Sequence, residues 1–268
     1  MIQRSDPIGV FDSGVGGLTV LSALRNRFPA ENYVYLGDTA RLPYGTKSAS
    51  TVERYAVNAA GHLASHGIKL LVVACNTASS YALDALGATV PVPVVGVVEP
   101  GVRAALATGA RRIGVIGTEG TIRSNAYQDT LADRAPSVEV DAAACPLLVP
   151  LAEEGWGDHP VTDQVARHYL APLLDWGVQT VILGCTHYPL LRQSLQRVVG
   201  PSVELVDSAK AVAETVAQDH HALTSTGGDG EGAVRIELTD ASDRFLRITR
   251  AILGSAPEQL EVVDIDRA

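Results

Sequence analysis

Eight short runs of apolar, largely branched residues, separated by segments with helical spacing, constrain this chain more than any other feature. The runs are Ile8–Phe11, Tyr33–Leu36, Leu70–Ala74, Val94–Val98, Ile113–Ile116, Val138–Ala142, Thr180–Leu183 and Val203–Val206. Between them, patterns such as Val20-Leu21-Leu24 and Val52-Tyr55-Ala56-Ala59-Leu63 recur at intervals of three or four, as in amphipathic helices. Continuous apolar strands alternating with such helices predict an α/β fold, with parallel sheets covered on both faces and right-handed crossovers. The first four runs also resemble the second four. Ile8-Gly-Val-Phe-Asp-Ser-Gly14 is matched 105 positions later by Ile113-Gly-Val-Ile-Gly-Thr118. The repeat predicts two similar parallel-sheet α/β domains, related by a pseudo-twofold duplication and facing each other across a cleft.

The last sixty or so residues break the pattern. A helix is expected over Ala209–Leu223, a Gly- and Ser-rich loop over Thr224–Gly232 and a strand over Ala233–Leu238. A helix over Ala241–Leu253 and a final strand over Leu260–Asp264 follow. Short strands need partners, so this tail is expected to return and complete the first domain. The expected division is residues 1–98 plus 207–268 for one domain and 99–206 for the other, with the active site between them.

Composition narrows the function classes. Lys plus Arg number 21 against 30 Asp plus Glu, and no basic run is dense enough for nucleic-acid binding. The N-terminus lacks the apolar core of a signal peptide, and no apolar stretch is long enough to span a membrane. Three cysteines without a CxxC spacing argue against a disulfide framework or zinc ribbon, and a reducing cytoplasmic setting is expected.

Two of those cysteines occupy equivalent places. Cys75 follows Leu70–Ala74, and Cys185 follows Val181–Gly184 110 positions later, each leading into small polar residues. Cys75-Asn76-Thr77 and Cys185-Thr186-His187 are both read as helix starts, where the N-terminus would lower a thiol pKa. Two thiols reaching one pocket from similar halves suit the movement of a proton on and off one carbon from opposite sides. His187 is a candidate proton partner for Cys185. Asp12-Ser-Gly-Val-Gly-Gly17 has GxGG rather than dinucleotide-binding spacing. It reads as a strand-to-helix turn whose N–H groups and Ser13 hydroxyl face a carboxylate. Asp12 is either a site acid or a helix cap. Asp38-Thr-Ala-Arg-Leu-Pro-Tyr-Gly45 can curl over a small ligand or form an ordinary turn. Glu153 either enters the cleft or is solvated. Cys145, among apolar neighbours, reads as structural. His62 and His66 lie four apart but show no third ligand nearby, so no metal is assigned.

Seven segments in order then carry a resemblance along nearly the whole chain. They are Ile8–Gly17, Tyr35–Gly45, Ala74–Ala78, Gly114–Thr118, Ala144–Leu147, Leu183–Pro189 and Val206–Ser208. Together they resemble the glutamate racemases of bacterial cell-wall synthesis, in the aspartate/glutamate racemase family. The resemblance implies cofactor-independent interconversion of L- and D-glutamate by two thiols, supplying D-glutamate for peptidoglycan. It implies that Cys75 takes the α-proton of D-glutamate, assisted by Asp12, and that Cys185 takes that of L-glutamate, assisted by His187 and Glu153. Ser13, Tyr44, Gly45, Asn76, Thr77 and Thr186 match substrate-holding positions, along with Asp12 and His187. A cytoplasmic homodimer is implied too. The residues alone leave open an aspartate or hydantoin racemase of the same architecture, or a two-lobed amino-acid binding protein.

Overall fold

The computed structural model describes residues 3–224, 230–254, 257 and 259–265. Most of the expected loop after Thr224 therefore lies outside the described residues. Ten strands form two sheets, and every strand pair is parallel. The strands are β1 (Ile8–Asp12), β2 (Tyr33–Gly37), β3 (Leu70–Val73), β4 (Val94–Gly96), β5 (Arg112–Gly117), β6 (Glu139–Ala144), β7 (Thr180–Gly184), β8 (Glu204–Asp207), β9 (Val234–Leu238) and β10 (Gln259–Val262).

The first sheet runs β10-β9-β2-β1-β3-β4 and the second β6-β5-β7-β8. Without β9 and β10, the two orders are the same path through four strands. This is the duplication that the sequence repeat predicts, now visible as topology. The tail completes the first sheet: β9 lies along β2 with Tyr33 opposite Val234 and Gly37 opposite Leu238.

Period-two alternation explains why each sheet is covered on both sides. Ile8, Val10, Leu70 and Val72 face one apolar cluster, while Phe11, Leu71 and Val73 face another. In the second sheet Val181 and Leu183 point one way and Ile182 the other. The tail helix Ser208–Asp219 places Ala209, Val212, Ala213 and Val216 in the first sheet's core.

Several boundaries differ from expectation. The fourth strand ends at Gly96, and Val98 already begins the helix Val98–Ala107. Side chains of Leu83 and Ser79 crowd the Gly96 Cα, and the Ser79 hydroxyl takes the Val97 N–H, so the ladder stops there. The helix expected to reach Leu223 ends at Asp219. After Cys185 there is no α-helix start: a 3₁₀ turn, Tyr188–Leu191, with Pro189 near its beginning, comes first.

In both sheets the strand order reverses between the first and third strands of the repeat. A crevice outside the carboxyl ends of strands at such a reversal is the usual ligand position in open parallel sheets. Cys75 and Cys185 follow the ends of β3 and β7, beside the ends of β1 and β5.

Candidate active site

The carboxyl ends of the two sheets enclose a cavity of about 320 Å³, a volume suited to a small molecule. Ser13, Tyr44, Gly45, Cys75, Asn76 and Thr77 line it from one half, and Glu153, Cys185, Thr186 and His187 from the other. Ten of the eleven residues singled out in the sequence are thus brought together. The eleventh, Asp12, lies beneath the wall.

Cys75 caps the helix Asn76–Tyr81, its sulfur accepting from the Ala78 N–H at 3.5 Å. Its S–H donates to the Ser13 hydroxyl at 3.4 Å. The expectation of a lowered pKa fails here. Burial and then the Asp12 charge push the thiol up to about 12, outweighing help from Ser13 and the Ala78 N–H. One short helix cannot compensate for the loss of water, and Cys75 rests as a protonated thiol.

Asp12 is not the cap of the helix Leu18–Arg27, whose N-cap is Gly17 with no side-chain cap bond. Its Oδ2 accepts the Gly14 and Gly17 N–H groups at 3.0 Å each, fixing the turn after β1. Its Oδ1 is buried without a hydrogen-bond partner. Burial raises its pKa, against the lowering effects of His187 and three backbone N–H groups.

The second thiol has different company. Cys185 Sγ lies 3.9 Å from His187 Nδ1, and His187 Nε2 lies 3.2 Å from Glu153 Oε1. Glu153 Oε2 in turn meets Arg244 at 3.0 Å, from the tail helix Asp243–Leu253. Burial opposes a charge on His187, but Cys185 and Glu153 outweigh it and lift the imidazole to about 10. Burial likewise opposes the Glu153 charge, yet His187 and then Arg244 hold its carboxyl below the usual range. Glu153 therefore enters the cleft as an ionised partner of a protonated histidine. No periodicity signals Arg244, because its partner lies ninety residues away on the other half.

Neutral donors and a further acid, Glu119, furnish most of the rest. Asn76 Oδ1 accepts from the Tyr127 hydroxyl at 2.6 Å, leaving a buried Nδ2 with no hydrogen-bond partner on a residue that lines the cavity. The Thr77, Thr118 and Thr121 hydroxyls close a triangle with sides of 2.9, 3.1 and 3.0 Å. Thr77 belongs to one half and the other two to the second, so the triangle clasps them together. Thr118 also lines the cavity and was quoted in the sequence only as part of a motif. Residues 42–46 line the cavity, in line with the first of the two readings left open for the segment 38–45. Tyr44 donates to Asp38, whose carboxylate also holds Arg41 at 2.7 Å and the Thr239 hydroxyl at 3.0 Å. Asp38 is thereby committed to the protein. Leu42, Pro146, Val149 and Pro150 give the cavity an apolar side.

Two glycines let the halves close. A Cβ on Gly16 would sit 2.4 Å from Thr186 Oγ1, and one on Gly45 2.6 Å from Thr118 Cβ. Cys145 is buried in the second core, as read from the sequence. His62 and His66 do acquire a third neighbour, Glu237 of β9, which sequence distance concealed.

Among the described residues no helix is long and apolar enough to cross a membrane. Residues 10–216 match the family described as Asp/Glu/Hydantoin racemase. A glutamate racemase of Geobacter metallireducens is 57% identical over 251 residues, which is 92% of each chain. The crystal structure of a Francisella tularensis glutamate racemase in complex with D-glutamate superposes with a TM-score of 0.92 at 34% identity. That alignment covers 99% of this chain and 100% of the other. A Thermus thermophilus glutamate racemase in complex with β-chloro-D-alanine gives 0.88 at 44% identity, over 99% and 100%. With two thiols at matched strand ends and this extent of likeness, the chain belongs to the Asp/Glu/Hydantoin racemase family.

Proposed function

We propose that this chain interconverts L- and D-glutamate without a cofactor and supplies D-glutamate for peptidoglycan. One observation carries the reading: Cys75 and Cys185 line a single cavity from opposite halves, each with its own proton-handling neighbours. The glutamate racemases among its relatives support the choice of substrate. The lobes are taken as residues 1–98 with 207–268, and 99–206.

An amino-acid α-carbon is a weak acid, so the charge that develops when its proton leaves must be stabilised by placed donors. Among the described residues, none that lines the cavity is Lys or Arg. Ser13, the Asn76 Nδ2, Thr77, Thr118 and Thr186 therefore hold the carboxylates as neutral donors. One sulfur, as thiolate, takes the α-proton: its S–H bond forms as the C–H bond breaks, and the electron pair moves into the carboxylate. The opposite thiol then gives its proton to the other face of the carbon. Cys75, resting protonated, is the acid when L-glutamate reacts, with Cys185 as base and His187 as its proton partner. The roles reverse for D-glutamate, with Asp12 beneath Cys75.

Incubation with L-glutamate in D₂O, with no added cofactor, tests this. Loss of optical activity together with deuterium at Cα is the expected result. Deuteration without inversion would reduce the site to one working base. Neither signal, or equal turnover of aspartate, would overturn the assignment. One methylene is worth only about 1–3 kcal/mol in a pocket, so some aspartate turnover is expected.

A further inference from the structure

The helix Ala49–Ser65 carries His62 one turn before its C-cap, His66. A spacing of four puts both imidazoles on one helix face. Their Nε2 atoms converge on Oε2 of Glu237, at 2.6 and 3.2 Å. Glu237 is fully buried on β9, a strand flanked on both sides. The three donor atoms lie within 4.8 Å of one another. None of these residues lines the cavity between the thiols.

We propose that His62, His66 and Glu237 form a binding site for a divalent transition metal of the zinc class. Two imidazoles and one carboxylate are the donor set such ions take when a fourth position is left open. Arg235 Nε lies 2.7 Å from Glu237 Oε1. The two form an ion pair without a hydrogen bond, and His66 Nε2 also lies 3.2 Å from that oxygen. The imidazoles are 15% and 21% exposed, which leaves an approach for the ion from solvent. Zinc bonds of about 2.0–2.2 Å set tetrahedral ligands roughly 3.3 Å apart. The 2.6 Å contact therefore opens by less than about 1 Å on binding. The ion would fasten β9 to the helix 49–65. Beyond β9, Thr239 donates to Asp38, which holds Tyr44 over the cavity.

The full-length protein, stripped with chelator and titrated with Zn²⁺, tests the site. One equivalent is expected to bind and to raise the melting temperature by roughly 5 °C at saturation. His66→Gln alone, which keeps the His62–Glu237 contact, and H62Q/H66Q together should weaken binding about 100-fold or more and abolish the thermal shift. The racemisation rate should be unchanged in both. The catalytic thiols are the competing site for a soft metal, so Cys75→Ser/Cys185→Ser must retain the equivalent. Co²⁺ should show visible d–d bands without sulfur charge transfer. Binding that survives H62Q/H66Q, disappears with the thiols, or leaves the melting temperature unmoved would overturn the proposal. The cluster would then be an ion-free arrangement that neutralises a buried carboxylate.

Discussion

The two thiols follow equivalent strands of equivalent sheets, yet their surroundings share almost nothing. Around Cys75 are the Ser13 hydroxyl, a backbone N–H and an acid beneath, and burial keeps the sulfur protonated. Around Cys185 runs a charged chain of His187, Glu153 and Arg244. Duplication preserved the backbone that aims both sulfurs at one point, while the side chains diverged. The difference is useful chemically, because two-base inversion needs one proton donor and one acceptor at any moment. It is also bounded. L- and D-glutamate have equal free energy in water, so kcat/KM must be the same in both directions however unequal the half-sites are.

The sharpest break of this comparison removes one sulfur at a time. Cys75→Ser and Cys185→Ser should each lower racemisation by about 10³-fold or more. Residual α-deuteration in D₂O should be confined to D-glutamate in Cys185→Ser and to L-glutamate in Cys75→Ser. Deuteration of the same enantiomer in both variants would refute the facing arrangement.

Next in size is the charged chain. His187→Asn should cost about 10²-fold in kcat/KM, equally in both directions. In the wild type the His187 charge is held to about pH 10, whereas an unfolded histidine loses its proton near the model value of 6.5. Because this pKa is raised, its contribution to stability is complete below about pH 6.5 and fades as pH climbs through about 10. Melting temperatures of wild type and His187→Asn should therefore converge at high pH. A constant gap across that window would sink the assignment of the charge.

A smaller effect is expected from Arg244→Gln, which releases Glu153 from the tail. About a tenfold loss in kcat, with the alkaline limb of the pH profile moved down, would mark Arg244 as a positioning residue. Arg244→Lys should recover part of both. A loss confined to KM with an unmoved limb would count against it.

Smallest is Thr118→Val on the neutral side. Removing this cavity-lining hydroxyl of the triangle should raise KM several-fold, on the order of 1 kcal/mol. A change in kcat alone, measured under saturating glutamate, would argue that Thr118 does not hold substrate.

How far these features were legible in sequence depends on the distance over which they are made. The strands were legible because burial of both sheet faces leaves uninterrupted apolar runs, and the thiols because they close such runs. Element ends were missed where a tertiary contact decides them, as at Gly96 against Leu83 and Ser79. The protonation of Cys75 was misread because a helix start is a local pattern and depth of burial is not. Arg244 and Glu237 were invisible for a related reason. Each is an ordinary charged residue in the tail, given meaning only when β9 and its following helix return to the body.

The Thr77–Thr118–Thr121 triangle has a consequence for how the halves respond to a ligand. A closed ring of three hydroxyls can circulate its hydrogens in either sense, and reversing all three requires no heavy atom to move. Left alone, the ring has no strong reason to prefer one sense. An anion arriving at Thr118 changes that: the hydroxyl has one hydrogen to give, so giving it outward opens the ring and leaves Thr118 only to accept from Thr77 and Thr121. The seam between the two halves can thereby register the charge of what lies in the cavity through rotation of protons alone.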